Sequence, residues 1–467
     1  MEQNIFPNTR ARSIATFALP FIVVSSYIFL AFQPDLRQDI PALAGVSALI
    51  MAAISVALYL GEKGGPIWPS GVVVSIAVFI RLLFLFRPPE LSDDLYRYLW
   101  DGTALLSGHN PYSLSPSSAN YSGDEAQKLL GLVNHPHLIT IYPPTAQISF
   151  AVGTFLGGLL GIKSLLVAMD IAVCILVVKI LSLQKLPPTR AAIYAWHPLP
   201  VLEIASSGHI DGAAIFFMAL ALLLLVGQPA DKNFNFMKNR IRAPLAGFLF
   251  SLAVMSKLFP LVFFPAFLRI ANGRIKAFSL AAVAGVAMLS IPFLPDLSNM
   301  FSTLNAYAQN WEFAGFLFKA IRGLTSSGFA ARLTLAVVFF AILAISSRKP
   351  FLAKAEPVVD RPPSPFFLPS IKAMHAIALA YLLLTPTLHP WYALYLAFLL
   401  PFYPTIPGLT LSWAVLLFYR TLIPYSILGK WDDDGEIPAL VWGATVLAMA
   451  VAWILNRRGS STQDFRG

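Results

Sequence analysis

Eleven residues, Ser92 to Gly102 (SDDLYRYLWDG), hold three aspartates, an arginine, two tyrosines and a tryptophan. Asp93 and Asp94 are adjacent and follow directly on an apolar run. A partly desolvated carboxylate beside a second one has a raised pKa, which suits a general base. Three more polar groups carry complementary chemistry: His209 and Asp211 in SSGHIDG, Lys257 in SKLFP, and His389 with Tyr392 in TPTLHPWY. Lys257, His209 and His389 are cations or donors available to an anion, and a phosphate at headgroup level is the obvious one. Together the groups fit a reaction with a phosphate leaving group. A base activates an attacking hydroxyl, and cations stabilise the phosphate that departs.

Taken singly, each group has a plainer reading. An Asp-Asp pair after a span marks the water boundary. Lys257 can snorkel to headgroups with no substrate present, and His209 with Asp211 can close a turn. Asn110-Pro111-Tyr112 and Tyr142-Pro143-Pro144 are turn and helix-start signals. Trp100, Trp311, Trp391 and Trp431 fit an interfacial aromatic belt. What favours function is convergence of all four polar groups on one face, and that depends on the elements that carry them.

The chain is 57% hydrophobic and 12% charged, with a mean hydropathy of +0.69 over 467 residues. That excludes a soluble globular domain. Apolar stretches recur at the length needed to cross about 30 Å of hydrocarbon, and spans in lipid must be helical to satisfy their own backbone. The expectation is an all-α, polytopic integral membrane protein, one domain over 1–467. About fourteen crossings are expected, near 13–32, 41–60, 69–87, 163–184, 190–206, 211–227, 243–255, 258–270, 276–294, 328–347, 366–385, 391–404, 407–425 and 438–456. The first apolar run lacks a small-residue cleavage site and reads as a retained span. Cys174, the single cysteine, lies mid-span and has no internal disulfide partner.

Charge sets the orientation. With a cytoplasmic N-terminus, the inner connectors hold nineteen of the thirty-three Lys and Arg residues against six acids. The outer segments hold about eight basic residues and fifteen acids. This is the positive-inside distribution, and it accounts for the net charge of +10 as a basic face against anionic lipid. Nucleic acid is not an expected partner, because the basic residues are spread over short connectors. The pattern survives only if 145–161 (TAQISFAVGTFLGGLLG) does not cross. It is expected to be a juxtamembrane or re-entrant helix on the outer side, with Gly153, Gly157 and Gly161 allowing close packing. Residues 88–162 then form one large extracytoplasmic loop, and both termini are cytoplasmic. No metal motif stands out; Asp432–Asp434 is acidic enough for a divalent cation but reads as a solvated turn.

The chain resembles the GT-C superfamily of membrane glycosyltransferases that use a polyprenyl-phosphate sugar, and within it bacterial mannosyltransferase-like members. The likeness rests on SDDLYRYLWDGTALLSGHNPY, IYPPTAQ, WHPLPVLEIASSGHIDGAAIFF, LAVMSKLFPLVFFP and HPWYALYLAFLLP, covering about 90–405. It implies a catalytic base in the first large outer loop: Asp94, four residues before Tyr98, with Asp93 second. Asp211 beside His209 matches a further acidic site, Lys257 a contact to the lipid-linked phosphate, and Tyr142 with its prolines the start of the juxtamembrane helix. His389 and Tyr392 match the late part of the cavity, and Arg97 joins His209 as a possible helper at the phosphate. One departure is visible: the loop follows the third span, where the family's commonly follows the first.

The implied activity is inverting transfer of a sugar, mannose in the nearest members, from the lipid donor to an acceptor hydroxyl on a lipid or glycan. It acts on the extracytoplasmic face of the inner (plasma) membrane and needs no cofactor beyond the lipid-linked donor. The rival class is a lipid-linked-sugar flippase or other transporter, for which internal repeats and mid-membrane broken helices are expected; the sequence shows no such repeat. A non-catalytic scaffold for envelope assembly is a third reading.

Overall fold

The computed structural model describes residues 9–119, 123–227, 239–348, 364–430 and 435–461. Asp432–Asp434, Trp431 and most of the basic connectors 228–242 and 348–363 lie outside the described residues. The described chain is helical. Apart from isolated bridges between Phe313–Ala314 and Thr387, no β-pairing occurs among these residues. In chain order the principal helices are α1 (Thr9–Ala31), α2 (Ile40–Gly64), α3 (Ser70–Leu85), α4 (Asp94–Leu106), α5 (Asp124–Leu130), α6 (Pro144–Leu183), α7 (Asp211–Val226) and α8 (Asn239–Ser256). They continue with α9 (Phe264–Ala271), α10 (Ile275–Ser290), α11 (Ser298–Asn310), α12 (Phe316–Thr325), α13 (Gly328–Arg348), α14 (Phe367–Leu384), α15 (Ile406–Ala414) and α16 (Glu436–Ser461).

Among the described residues, eight helical segments are long and apolar enough to cross a membrane. A ninth candidate is a bent pair, Pro198–Ser206 and α7, bent by 118° at the break between them. Four further apolar helices are shorter: α3, Ile241–Ser256, Phe259–Ala271 and Pro390–Leu399. Each expected crossing overlaps one of these segments, but only the first eight are by themselves long and apolar enough to span. Of the fourteen, two are the limbs of the bent pair and four are the short helices.

Local signals set the helix starts. Asp39 caps α2 by accepting the Ala42 N–H at 3.1 Å, with Pro41 in the first turn. Pro144 opens α6, where a missing N–H does no harm. The core lies where the second half of α6, Pro198–Ser206, α7 and Pro390–Leu399 meet; Val173, Leu202, Met218 and Leu396 are fully buried there. By contrast, α13 turns Val337, Phe340 and Ile345 outward, as a lipid-facing helix should. Arginines of the basic connectors cap helix C-termini, where the dipole favours positive charge. Arg12 donates to the Leu60 and Gly65 carbonyls, Arg242 to Gly227, and Arg269 to Ser346 and Ser347.

The expected topology depends on 145–161. Helix α6 is broken at Gly157 and Gly158, with φ of 146° and 65°. These are left-handed values that glycine adopts freely. The chain reverses there, so 144–156 lies back along the helix that begins at 159. A Cβ on Gly153 would sit 2.6 Å from the Ile162 Cα, and one on Gly161 would strike the Gly153 carbonyl. Gly153 and Gly161 therefore permit contact between the two halves, while Gly157 makes the turn, and a Cβ there would meet open space. Helix α4 lies against 144–156 through Gly102, whose Cβ would fall 2.6 Å from the Phe150 carbonyl oxygen. Gly153→Val is expected to destabilise the fold by about 1–3 kcal/mol through overpacking against backbone. Thermal unfolding of the detergent-solubilised variant checks this, and a midpoint equal to wild type refutes it.

A buried ion pair joins α3 to α6. Arg81 Nε lies 2.6 Å from Asp170 Oδ2, and both side chains are fully buried. The Tyr194 hydroxyl donates to Asp170 Oδ1 at 2.5 Å, and Arg81 also donates to the Ala195 carbonyl at 2.8 Å. Lys163, at the head of the second half of α6, donates to the Phe84 carbonyl at the end of α3.

Candidate active site

The N-terminus of α4 presents Asp94. Its amide N–H is received by the Ser92 hydroxyl at 3.3 Å. Two donors from the loop before α6 hold its carboxylate: Asn134 Nδ2 at 2.7 Å to Oδ1 and the Tyr142 hydroxyl at 3.1 Å to Oδ2. His209 Nδ1 lies 3.7 Å from the same Oδ2. Burial pushes this carboxyl up, but His209, Lys257 and the two hydrogen bonds outweigh it, and Asp94 is held below its ordinary range. Asp93 is exposed. Its carboxyl moves up instead, through partial desolvation and the charge of Asp94. The carboxyl of the pair that moves up is thus Asp93, and the one that moves down is Asp94. This corrects the expectation that the base would carry the raised pKa: four polar neighbours compensate a burial that, unopposed, would have raised it.

Tyr142 is fixed from several sides. Its carbonyl accepts the Tyr112 hydroxyl at 2.6 Å, and its ring meets Tyr98 edge-on at 4.9 Å. Tyr98 stacks on Phe150 at 4.2 Å, so it backs the site as a buried wall. The Asn-Pro-Tyr turn anchors this arrangement. Asn110 Oδ1 accepts the Tyr112 N–H at 3.1 Å, its amide donates to Asp296 at 3.1 Å, and Asn299 donates to the Tyr112 carbonyl at 3.0 Å.

His209 comes from the turn between the limbs of the bent pair. Gly208 takes φ of 75°, and a Cβ there would sit 2.8 Å from a methyl of Leu95 in α4. A glycine is needed both to turn the chain and to let α4 approach. Asp211 starts α7 and is buried; Lys257, just past α8, reaches its Oδ2 at 3.3 Å. The same ammonium lies 5.3 Å over the Tyr142 ring, which is favourable for a cation on an aromatic face. Lys257 keeps 21% of its side chain exposed, so it remains open to a ligand.

The late segment closes the site with a run of stacked rings. Phe313, His389, Trp391 and His209 follow in order at 5.0, 4.4 and 4.1 Å. The Tyr392 hydroxyl pairs with that of Tyr307 at 2.6 Å. The structure thus gathers Asp94, Tyr98, Tyr142, His209, Asp211, Lys257, His389 and Tyr392 around one place. Arg97 is turned elsewhere: it pairs with Asp101 at 2.9 Å and donates to the Leu138 carbonyl at 3.0 Å. It braces the loop that carries Asn134 and Tyr142. Three members were not read from the sequence as site residues. Asn134 has no distinguishing signal, Trp391 read as interfacial belt, and Glu203 lay unremarked in VLEIASS. Among the described residues, no three His, Cys, Asp or Glu side chains gather as a metal site.

Residues 140–358 match the family model of glycosyltransferase family 87. No curated protein and no solved structure matches the chain. The matched stretch contains Tyr142, Glu203, His209, Asp211 and Lys257. It agrees with the resemblance to GT-C enzymes, and together with the eight helical segments long and apolar enough to cross a membrane it indicates a membrane glycosyltransferase.

Proposed function

We propose that the protein moves a sugar, mannose first among candidates, from a polyprenyl-phosphate donor to an acceptor hydroxyl by single displacement with inversion. The observation that carries this reading is the placement of a base and a phosphate partner in one cluster. Asp94 is a carboxylate held below its ordinary range by His209, Lys257 and the hydrogen bonds from Asn134 and Tyr142. Lys257, ion-paired to Asp211, lies over the ring of that same tyrosine. Asp94 takes the acceptor's proton as its oxygen bonds to the anomeric carbon. The bond from that carbon to the phosphate oxygen breaks, and the electron pair leaves with the phosphate. Lys257 then faces the charge that develops there. A β-linked donor gives an α-glycoside. No residue is placed to form a covalent sugar intermediate in this scheme.

The orientation proposed is the positive-inside one. All fourteen apolar segments cross in a GT-C-like arrangement, both termini are cytoplasmic, and the site lies on the extracytoplasmic side of the inner membrane. Arginine-capped helix ends fall on the opposite side from Asp94 in this arrangement, which supports it. The donor then enters from the outer leaflet, with its phosphate at the depth of Lys257.

The test is a reconstituted assay with polyprenyl-phosphomannose and simple hydroxyl acceptors. Transfer without energy coupling supports the enzyme. Passage of intact donor between leaflets with no transfer supports the flippase and sinks the proposal. Lys257→Ala is expected to raise the donor KM about 10- to 100-fold, the loss of a charge-assisted contact. An unchanged donor KM and kcat would remove Lys257 from this role.

A further inference from the structure

Behind Asp94 lies a second buried carboxylate that neither the donor nor the acceptor needs to touch. Glu203 sits in a π-helical turn, Val201–Ser206, and is fully buried. Single π-turns inside α-helical segments occur often at functional sites. The Tyr419 hydroxyl donates to its Oε1 at 2.6 Å. Its Oε2 has no hydrogen bond and lies 3.3 Å from His209 Nε2. The other ring nitrogen, Nδ1, faces Asp94 Oδ2 at 3.7 Å. Both ring nitrogens are buried and without hydrogen-bond partners, so shifts of a few tenths of an ångström close the line.

We propose that Glu203 is a positioning residue that aims His209, and that His209 takes up the proton Asp94 removes from the acceptor. This rests on the glycosyl-transfer reading above. With a proton on Nε2 directed at Glu203, His209 turns the Nδ1 lone pair toward Asp94. The acceptor O–H proton passes to Asp94 Oδ2 and then to Nδ1. Asp94 is again a carboxylate, and an imidazolium is left between two carboxylates. Glu203 stabilises that cation and does not itself take the proton, the logic of a hydrolase triad. Trp391 supports the same charge, since its indole stacks on the imidazole at 4.1 Å and 22°. The proton leaves to water or to the departing phosphate once product is released.

The charged groups facing His209 come from three packed elements: Asp94 from α4, Glu203 from the π-turn and Lys257, itself paired to Asp211, from the end of α8. His389 stands beyond Trp391. Burial is the largest influence on the imidazole and, with Lys257, opposes the imidazolium, so His209 rests neutral; Asp94 favours the cation.

The experiment uses the full chain in proteoliposomes with polyprenyl-phosphomannose and a simple acceptor. Glu203→Gln keeps the side-chain shape and removes the charge. Its kcat is expected to fall about 100-fold, with donor KM within twofold of wild type. The acid limb of its kcat profile moves to lower pH, because the imidazolium is no longer favoured. Glu203→Asp recovers part of the loss. Tyr419→Phe removes only the hydroxyl that holds Oε1, and is expected to lower kcat about tenfold with the same direction of shift. A wild-type kcat in Glu203→Gln overturns the proposal, as does a loss equal at every pH. If Glu203→Gln does not accumulate, an unshifted profile with full kcat in Tyr419→Phe overturns it. Wild-type transfer that is lost in Asp94→Asn but kept in Glu203→Gln sinks the Glu203 role alone. No transfer by the wild type sinks both readings.

Discussion

Asp94→Asn is expected to lower sugar transfer about 10³-fold or more while the protein still inserts and purifies as wild type. The substitution is nearly isosteric, so the contacts from Asn134 and Tyr142 can be largely kept. What disappears is the lone pair that accepts the hydroxyl proton, and positioned proton transfer contributes about 10²–10⁴ in rate. The adjacent Asp93 supplies the control. It is exposed, and among the described hydrogen bonds Asn134 and Tyr142 serve only its neighbour. Asp93→Asn should keep most of the activity. Turnover of the two purified variants decides between them: normal transfer by Asp94→Asn removes it as the base, and loss confined to Asp93→Asn moves the role one residue back.

The second large effect lies far from the chemistry. Asp170→Asn should destabilise the fold by about 3–5 kcal/mol, because it leaves Arg81 charged and unpaired in a dry interior. Arg81 has no route to water: its side chain is fully buried between α3 and α6, and its remaining partners are the Ala77 and Ala195 carbonyls. Replacing both members, Arg81→Met with Asp170→Leu, should recover much of the loss, since well-packed apolar pairs often match a buried ion pair in stability. Thermal unfolding in detergent of the single and double variants provides the measurement. A single variant as stable as wild type, or a double variant worse than the single, would contradict the account.

How much of this was legible follows from the kind of signal each feature leaves. Long apolar runs reveal candidate spans because lipid demands them, and the charge imbalance between connectors is the reason 145–161 is expected to be a juxtamembrane or re-entrant helix. Gly153, Gly157 and Gly161 were visible as a spacing, but only the backbone shows that two of them make contact and one makes the turn. The Arg97–Asp101 pair was present as an i, i+4 spacing. Asn134 and Glu203 left no trace. Their roles come from meeting residues 40 and 6 positions away through a loop and a π-turn, and local pattern does not encode such meetings. Arg81 sat inside an apolar run whose partner was 89 residues distant.

The reversal at Gly157–Gly158 has a consequence for how the protein tolerates different membranes. Because 144–156 doubles back beside the span, the ledge that supports Asp94 is fastened to the upper rim of 159–183. Lys163 ties that rim to the end of α3. A change in bilayer thickness is absorbed by tilt of the spans. In the proposed orientation the ledge rides with the rim, so the height of the carboxylate above the hydrocarbon edge is expected to be conserved while the far ends of the helices take up the mismatch.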